Sequence, residues 1–176
     1  YGQLDIQADV IGWYTTDYNR DDIATVEVES DRAAREALLR EVFEFYDEDV
    51  DYSVYDNDGN GTIDYFAIIW TGPHGEWSTF WWGYQTHFSD GAYLLDGVRL
   101  DAYSWQWESR NYPDVYDPET LNNVEFQPST LIHETGHALG LPDYYDYDAS
   151  VGPDGGVGGL DMMDATWGDH NCFSKW

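Results

Sequence analysis

Two histidines four residues apart, within a segment that has the pattern of a short helix, restrict the fold of this chain more than any other feature. Residues 129–139 are predicted to be helical, and Gly140 and Pro142 end the helix. Side chains four residues apart lie one above the other on the same helical face. His133 and His137 are therefore expected to converge on one tetrahedral Zn2+.

The residues around the two histidines extend this motif. Glu134 adjoins the first histidine and cannot easily share its ligand position, but it can reach a water on the metal as a general base. Gly140 allows the backbone to leave the helix with a positive φ, so that Asp143 can return as a third ligand. Three protein ligands leave a position for water, which is typical of a catalytic zinc site. Asp146 and Asp148 are alternatives to Asp143 as the third ligand.

An acidic, glycine-rich loop over residues 56–64 predicts a calcium site. Its oxygen-bearing residues occupy positions 1, 3, 5, 7 and 9 of a calcium-loop pattern, with glycine at position 6: Asp56, Asp58, Asn60, Thr62 (through its carbonyl) and Asp64. Ala67 stands where an EF-hand has its bidentate glutamate, so the loop is not an EF-hand. The alternative is an Asn-Gly turn with solvated acids.

Hydrophobic patterning predicts a mixed α+β order in a single domain over residues 1–176. The predicted elements are a bent strand over 4–14, a helix over 31–47, a strand covered on both faces over 63–71, a strand over 98–107 and the helix over 129–139. Ser30 is the expected N-cap of the first helix, which buries a stripe of Ala34, Leu38, Leu39, Val42, Phe43, Phe45 and Tyr46. Residues 74–93 are expected to form strand ends and loops, and the Gly-rich chain after Tyr147 to be irregular.

The charge of the chain excludes some partners. It has 35 acidic residues against 7 basic ones, a formal net charge of -28, which would repel nucleic acids and anionic membranes. The chain has no apolar stretch long enough to span a membrane. Lys175 is the single lysine, which favours a high-salt source over neutralisation of the carboxylates by calcium. The single cysteine, Cys172, allows no internal disulfide and is expected to be buried.

Aromatic residues are unusually frequent, and the run from Trp77 to Trp82 is the densest. Burial is the expected reason, and the competing interpretation is a groove wall for peptide or glycan groups. His74 and His87 flank this run and are expected to be structural histidines, with contact to substrate as the alternative.

The segment FQPSTLIHETGHALGLPDYYD, residues 126–146, resembles the active-site region of the immune-inhibitor-A-like secreted metallopeptidases, which belong to the zincin class. Residues 52–59, 158–164 and 173–176 also resemble that family, so the likeness covers most of the chain. It implies a twisted mixed sheet packed on helices that include the HExxH helix. It also implies that the chain is a piece of a larger protein, without its first strand and its downstream β-structure.

The resemblance implies roles for individual residues. His133, His137 and Asp143 would be zinc ligands, Glu134 the general base, and Met163 (or else Met162) the methionine of the turn beneath the metal. The activity implied is hydrolysis of peptide bonds in extracellular proteins. From its position after Asp143, Tyr145 is the candidate donor to the oxyanion, in competition with Tyr144, Tyr147 and His170. The competing function is a non-catalytic, calcium-dependent module that binds glycans or proteins, for which Glu134 would be superfluous.

Overall fold

A computed structural model of the chain describes residues 6–23, 28–77, 79–110, 125–148, 150–151, 156–172 and 174–175. The helices are α1 (Arg20–Ile23), α2 (Val28–Tyr46), a 3-10 helix (Tyr52–Tyr55), α3 (Ser129–Ala138) and α4 (Met162–Ala165). The strands are β1 (Phe66–Trp70), β2 (Tyr84–His87), β3 (Leu94–Leu95), β4 (Val98–Arg99) and β5 (Ala102–Trp107). The predicted α+β class is confirmed, and none of the described helices has the length and apolar character that a membrane crossing requires.

The main sheet has three strands in the order β1-β5-β2, with β5 in the centre. β1 runs parallel to β5, from the pair Phe66 and Tyr103 to the pair Trp70 and Trp107. β2 is antiparallel to β5. The predicted strand over 63–71 exists only as Phe66–Trp70, and it is half-buried rather than covered on both faces because it lies at an edge of the described sheet. The buried strand is β5.

The strand predicted over residues 98–107 is two strands, β4 and β5, and a tight hairpin precedes the first of them. β3 and β4 pair through Asp96 and Gly97, which have φ values of 49° and 86°. Two successive residues with positive φ suit the turn of a two-residue hairpin. The chain then continues from β4 to β5 as separate strands. The region 74–93, predicted as strand ends and loops, contains the whole of β2.

Helix α2 packs on one face of the sheet. Leu38, Leu39 and Phe43 are buried, and the ring of Phe43 lies edge-on to Phe66 at 5.1 Å between centroids. The predicted burial of Phe45 is wrong: it is 61% exposed and packs against Tyr14 on the outside of the helix. α2 begins at Val28, so the predicted N-cap at residue 30 is also wrong, because that position already lies within the helix.

The segment before α1 contradicts the predicted strand over 4–14. Residues 6–16 have no regular structure, and residues 4–5 lie outside the described part of the chain. Ile6, Val10 and Trp13 are exposed, because no described strand pairs with this segment and covers them. The end of this segment is instead held on α2, where Tyr14 and Thr16 donate hydrogen bonds to the Glu41 carboxylate at 2.6 and 2.8 Å.

Helix α3 contacts β5, β2 and α4. Its bounds agree with the predicted helix, and Gly140 follows it with the expected positive φ, at 90°. The chain beyond Tyr147 is irregular in its described residues except for the short α4, as predicted. Cys172 is exposed, so its predicted burial is wrong; it lies in a segment whose described residues form no helix or strand. Trp77, at 67% exposed, also departs from the predicted burial of the aromatic run.

Candidate metal centre

The histidines of α3 and the carboxylate of Asp143 come together at one point. The rings of His133 and His137 lie edge to face, with centroids 4.8 Å apart. Oδ1 of Asp143 lies 3.0 Å from His133 Nε2 and 3.1 Å from His137 Nε2. The turn at Gly140 makes this possible, since it reverses the chain within three residues after the second histidine. Three residues expected as zinc ligands thus present their ligand atoms within 4.8 Å of one another.

Backbone carbonyls determine which ring nitrogens carry hydrogen. His133 Nδ1 lies 2.9 Å from the carbonyl oxygen of Met162, and His137 Nδ1 lies 2.8 Å from that of Leu141. Because a carbonyl oxygen only accepts, each Nδ1 must be the protonated nitrogen that donates. Burial lowers the pKa of His133, which favours its neutral form. In the neutral tautomer with hydrogen on Nδ1, Nε2 carries a lone pair that faces the carboxylate.

This donor set fits a cation. Two imidazole lone pairs and a carboxylate oxygen repel one another at 3.0–3.1 Å unless a positive charge lies between them. Ligand atoms of a tetrahedral zinc with bonds of 2.0–2.1 Å are separated by about 3.3 Å, close to the separations found here. Hydrogen bonds from Nδ1 to carbonyls are also the usual way in which metal-binding histidines are oriented. The residues present therefore suit zinc.

Glu134 lies beside this centre and is nearly buried, with 6% of its surface exposed. Burial and the negative charge of Asp143 together raise the pKa of Glu134 to about 8, against the opposing effect of a hydrogen bond from the backbone of Gln85. A carboxylate in such a setting has a much higher proton affinity than one in water. Glu134 can therefore accept a proton near neutral pH and release it again.

A cleft with a volume of about 630 Å³ opens in front of the four residues. Tyr145 and Tyr147 line it, with ring centroids 4.7 Å apart, and the hydroxyl of Tyr147 donates a hydrogen bond to Asp143 Oδ2. Burial raises the pKa of both phenols, so they stay protonated donors. Neither of the other two candidates for the oxyanion lines the cleft: the hydroxyl of Tyr144 accepts from Ser174, and His170 lies against Asp161.

The alternative carboxylates near Asp143 have other partners. Asp146 accepts a hydrogen bond from the backbone of Asp148 at 2.8 Å, and Asp148 accepts from the backbone and the hydroxyl of Ser150. Both are exposed acids that stabilise the turns of their own loop. Neither belongs to the described cluster of His133, His137 and Asp143, which leaves Asp143 as the acid that the fold directs to the histidines.

Sequence reasoning did not identify Asp161, which organises the turn beneath the histidines. Its fully buried carboxylate accepts hydrogen bonds from the backbone of Met163 at 2.8 Å, the backbone of Asn171 at 2.7 Å and the hydroxyl of Ser174 at 2.7 Å. Asp161 is the N-cap of α4, and the carbonyl of the next residue holds His133. An aspartate just before a helix is an N-cap signal that was available in the sequence.

Both methionines of α4 are buried, and Met163 is the one that lies against α3. Its side chain is fully covered and points at Gly136, between the two histidines along the helix. This is the position that was predicted for the turn methionine, in preference to Met162. A methionine there supplies an apolar, polarisable floor beneath the histidines.

The loop over residues 56–64 brings three carboxylates together. Ligand oxygens of Asp56, Asp58 and Asp64 lie within 4.8 Å of one another. The backbone N–H groups of Asn60 and Gly61 both donate to the Asp56 carboxylate, at 2.9 Å each. The hydroxyl of Thr62 accepts from Arg99, which lies outside the loop. The loop is thus closed by its own hydrogen bonds, and it stays a predicted calcium site.

The two flanking histidines of the aromatic run do not reach the cleft. The ring of His74 packs against Trp107, with centroids 5.0 Å apart, and Nδ1 of His87 lies 2.7 Å from Asp101. Neither histidine is among the residues that line the described cleft. These contacts support the expected structural role of both.

A comparison of the chain with models of protein families, with curated proteins and with solved structures gives no match. The assignment of a function to the centre on α3 thus depends on the residues and contacts described above.

Proposed function

We propose that this chain is the catalytic domain of a secreted, zinc-dependent endopeptidase with a zincin-type fold, which hydrolyses peptide bonds of extracellular proteins. One observation carries the proposal. Two imidazole lone pairs and a carboxylate converge beside the buried Glu134, at the base of an open cleft. A structural metal site has no need of an adjacent buried carboxylate, whereas hydrolysis requires a base at this place.

His133, His137 and Asp143 are the residues that would hold the metal. When bound, Zn2+ supplies a Lewis acid that polarises the scissile carbonyl and lowers the pKa of water to about 7. The carbonyls of Met162 and Leu141 hold the two imidazoles in the tautomer that binds a cation. The orientation of the ligands therefore does not have to be established when the metal enters.

Glu134 is the residue that moves the proton. Its carboxylate takes a proton from the attacking water, and the same residue then delivers that proton to the nitrogen of the departing amine. Burial and the charge of Asp143 favour the protonated form of Glu134, so its carboxylate holds a proton more strongly than one in water and can both accept it and pass it on. The neighbouring tyrosines do not compete for this role, because their raised pKa values keep them protonated.

Tyr145 and Tyr147 supply hydroxyl groups to the cleft. The oxygen of the attacked carbonyl gains negative charge, and a phenol that points at it stabilises that charge in the transition state. Asp143 is a neighbour of both phenols, but Tyr147 is 67% exposed and Tyr145 is partly buried in the cleft, so Tyr145 is the better candidate for this oxygen. Calcium in the 56–64 loop is a proposed structural cofactor, with Asp56, Asp58 and Asp64 as its carboxylate ligands.

The test compares the purified chain with its Glu134→Gln variant, in metal content and in cleavage of casein. We expect about one zinc per chain in both proteins, because Glu134 is not a ligand. Cleavage by the variant should fall by about 10²–10⁴-fold, the usual contribution of a general base. A chain that binds no zinc, or a variant as active as the original, would falsify the proposal. Calcium-dependent binding of glycans or proteins without cleavage would favour the non-catalytic module instead.

A further inference from the structure

The few cations of this chain are distributed unevenly. With 35 acidic residues for 7 basic ones, every cation has many possible carboxylate partners, but the described structure pairs only some of them; Arg32 and Arg99, for example, donate to the hydroxyls of Thr86 and Thr62. Arg40 pairs with Asp90 at 2.7 Å, and Lys175 pairs with Asp169. Two arginines, Arg35 and Arg110, line the cleft in front of the histidines, and neither forms an ion pair with any carboxylate of the described residues.

Arg110 is the one of the two that has a buried nitrogen without a hydrogen-bond partner in the described structure. It follows the central strand β5, and its guanidinium lies over the ring of Trp107 at 5.4 Å from the centroid. The buried nitrogen is its Nε. Burial lowers the pKa of Arg110, and no acid among the described residues counteracts this effect. Partial burial removes water from this guanidinium, and no described carboxylate compensates for that loss of solvation. A carboxylate of a ligand would do so.

Arg35 reaches the same cleft from α2. Its Nε and Nη2 donate to the carbonyl oxygen of Phe80 at 3.1 and 3.0 Å, and its guanidinium contacts the rings of Phe80 and Tyr84 at 4.6 and 4.7 Å. These contacts fix the position of the side chain. They involve neutral groups, so they leave its positive charge uncompensated.

We propose that Arg110, with Arg35 beside it in the cleft, binds a carboxylate of the peptide substrate and makes the enzyme selective for it. This inference rests on the proposed peptidase function. A guanidinium offers a planar pair of N–H donors that matches a carboxylate, and the partly buried setting makes the pair stronger than it would be in water. The carboxylate belongs either to an aspartate or glutamate side chain or to the C-terminus of the substrate.

The rest of the protein does not favour an anionic substrate. A net charge of -28 repels it at long range, and this repulsion weakens as salt rises. A contact inside the cleft is screened much less than the surface charges are. Selectivity for the carboxylate should therefore persist at molar salt, while the overall rate of cleavage of an acidic peptide increases.

The experiment uses pairs of fluorogenic peptides with the zinc-loaded chain. One series carries Glu or Gln at each position on either side of the scissile bond, and a second series ends in a free acid or an amide. We expect kcat/KM to favour the acid in one of the series by about tenfold or more, as for a hydrogen-bonded ion pair. Arg110→Gln should remove this preference through a loss on the acidic peptide, with the neutral peptide changed less than about twofold.

Two further variants separate the contact from net charge and from folding. Arg32→Gln removes the same charge from the exposed side chain of an arginine that donates to Thr86 and does not line the cleft, so it should keep the preference. Arg110→Lys keeps the charge but not the planar donor pair, so it should retain only part of the preference.

Binding to the Glu134→Gln variant, followed through tryptophan fluorescence, tests the same site without turnover. Tighter binding of the acidic peptide, lost when Arg110→Gln is added, would support the proposal even if the chain cleaved nothing. Equal rates and equal affinities for acidic and neutral peptides would overturn it, while cleavage of both would leave the peptidase function intact. Absence of cleavage with any peptide would contradict only the proposed function.

Discussion

Gly136 and Met163 are in such close contact that a Cβ atom on Gly136 would lie 2.5 Å from the Met163 sulfur. Gly136 lies between His133 and His137 along α3, and Met163 is fully buried beneath them. A glycine in the middle of a helix costs about 1 kcal/mol relative to alanine. The close approach of the two elements explains why it is present here, since no larger residue leaves room for the methionine.

The contact predicts the effect of Gly136→Ala. The added methyl group must displace a buried side chain, and overpacking of this kind costs about 1–3 kcal/mol, more than the gain in helix propensity. We expect a lower free energy of unfolding, measured in urea, and weaker zinc binding. In a Met163→Ala background the same change should be neutral or stabilising, because the obstacle is gone. A similar loss in both backgrounds would contradict this explanation.

Asp161→Asn should destabilise the turn that holds His133. In the variant, an NH2 group, which donates, takes the place of an oxygen that accepts hydrogen bonds from buried N–H and O–H groups. Each group that is left without a partner costs about 1–3 kcal/mol. Zinc affinity should fall as well, since the Met162 carbonyl that orients His133 belongs to this turn. Asp169→Asn, which alters an exposed neighbouring acid, is the matched control. Equal zinc affinity in Asp161→Asn and the control would contradict a positioning role.

The pH dependence of stability provides a second measurement at Asp161. Burial raises its pKa, but hydrogen bonds from Met163, Asn171 and Ser174 lower it more, so the folded-state pKa lies below the unfolded one. Such a group stabilises the fold fully above its unfolded pKa of about 3.9, and this stabilisation is lost as the pH falls through the folded pKa. The difference in unfolding free energy between wild type and Asp161→Asn should therefore be full at pH 7 and shrink below about pH 4.

Much of the centre on α3 was predictable because its determinants are local. The spacing of His133 and His137 and the glycine at position 140 act within a few residues, and helical geometry converts them directly into positions. The carbonyls of Met162 and Leu141 were not predictable in the same way. Met162 in particular is distant in the sequence and meets His133 only through the packing of α4 on α3.

The strands were harder to predict for a related reason. The apolar run over 63–71 suggested a central strand, but the centre is β5, whose alternating sequence gave no sign of burial on both faces. Which strand is central depends on pairing between segments, which periodicity does not encode. Phe45 shows the same limit on α2, since the helical stripe is wider than the surface that the sheet covers.

Asp143→Ala tests the third ligand. Loss of its carboxylate should weaken zinc binding by at least about tenfold in competition with a chelator, and activity should fall with it. Asp146→Ala is the matched control, because Asp146 is an exposed acid three residues away whose carboxylate caps its own loop. Unchanged zinc affinity in Asp143→Ala, with a loss in Asp146→Ala, would assign the ligand to the other acid.

The two cleft tyrosines should have separable effects. Tyr147 donates to Asp143, so Tyr147→Phe is expected to weaken zinc binding by about tenfold, as removal of a partner of a metal ligand does. Tyr145→Phe should retain zinc and lower kcat by about 10²-fold, the effect of losing one oxyanion donor. Steady-state kinetics and metal titration of both variants distinguish these outcomes. A full kcat in Tyr145→Phe would leave the oxyanion without its proposed donor.

Calcium binding by the 56–64 loop predicts a stabilisation that is independent of the zinc centre. At constant ionic strength, calcium at about 100 times its Kd should stabilise the fold by about 2.7 kcal/mol and raise the Tm by about 5–10 °C. Constant ionic strength matters because salt alone relieves repulsion in a chain with a net charge of -28. Asp58→Asn removes one of the three converging carboxylates and should abolish most of the shift without changing zinc content. Asp49→Asn, which neutralises an exposed acid outside the loop, should keep the shift; equal responses of the two variants would show that calcium acts by screening and not at this loop.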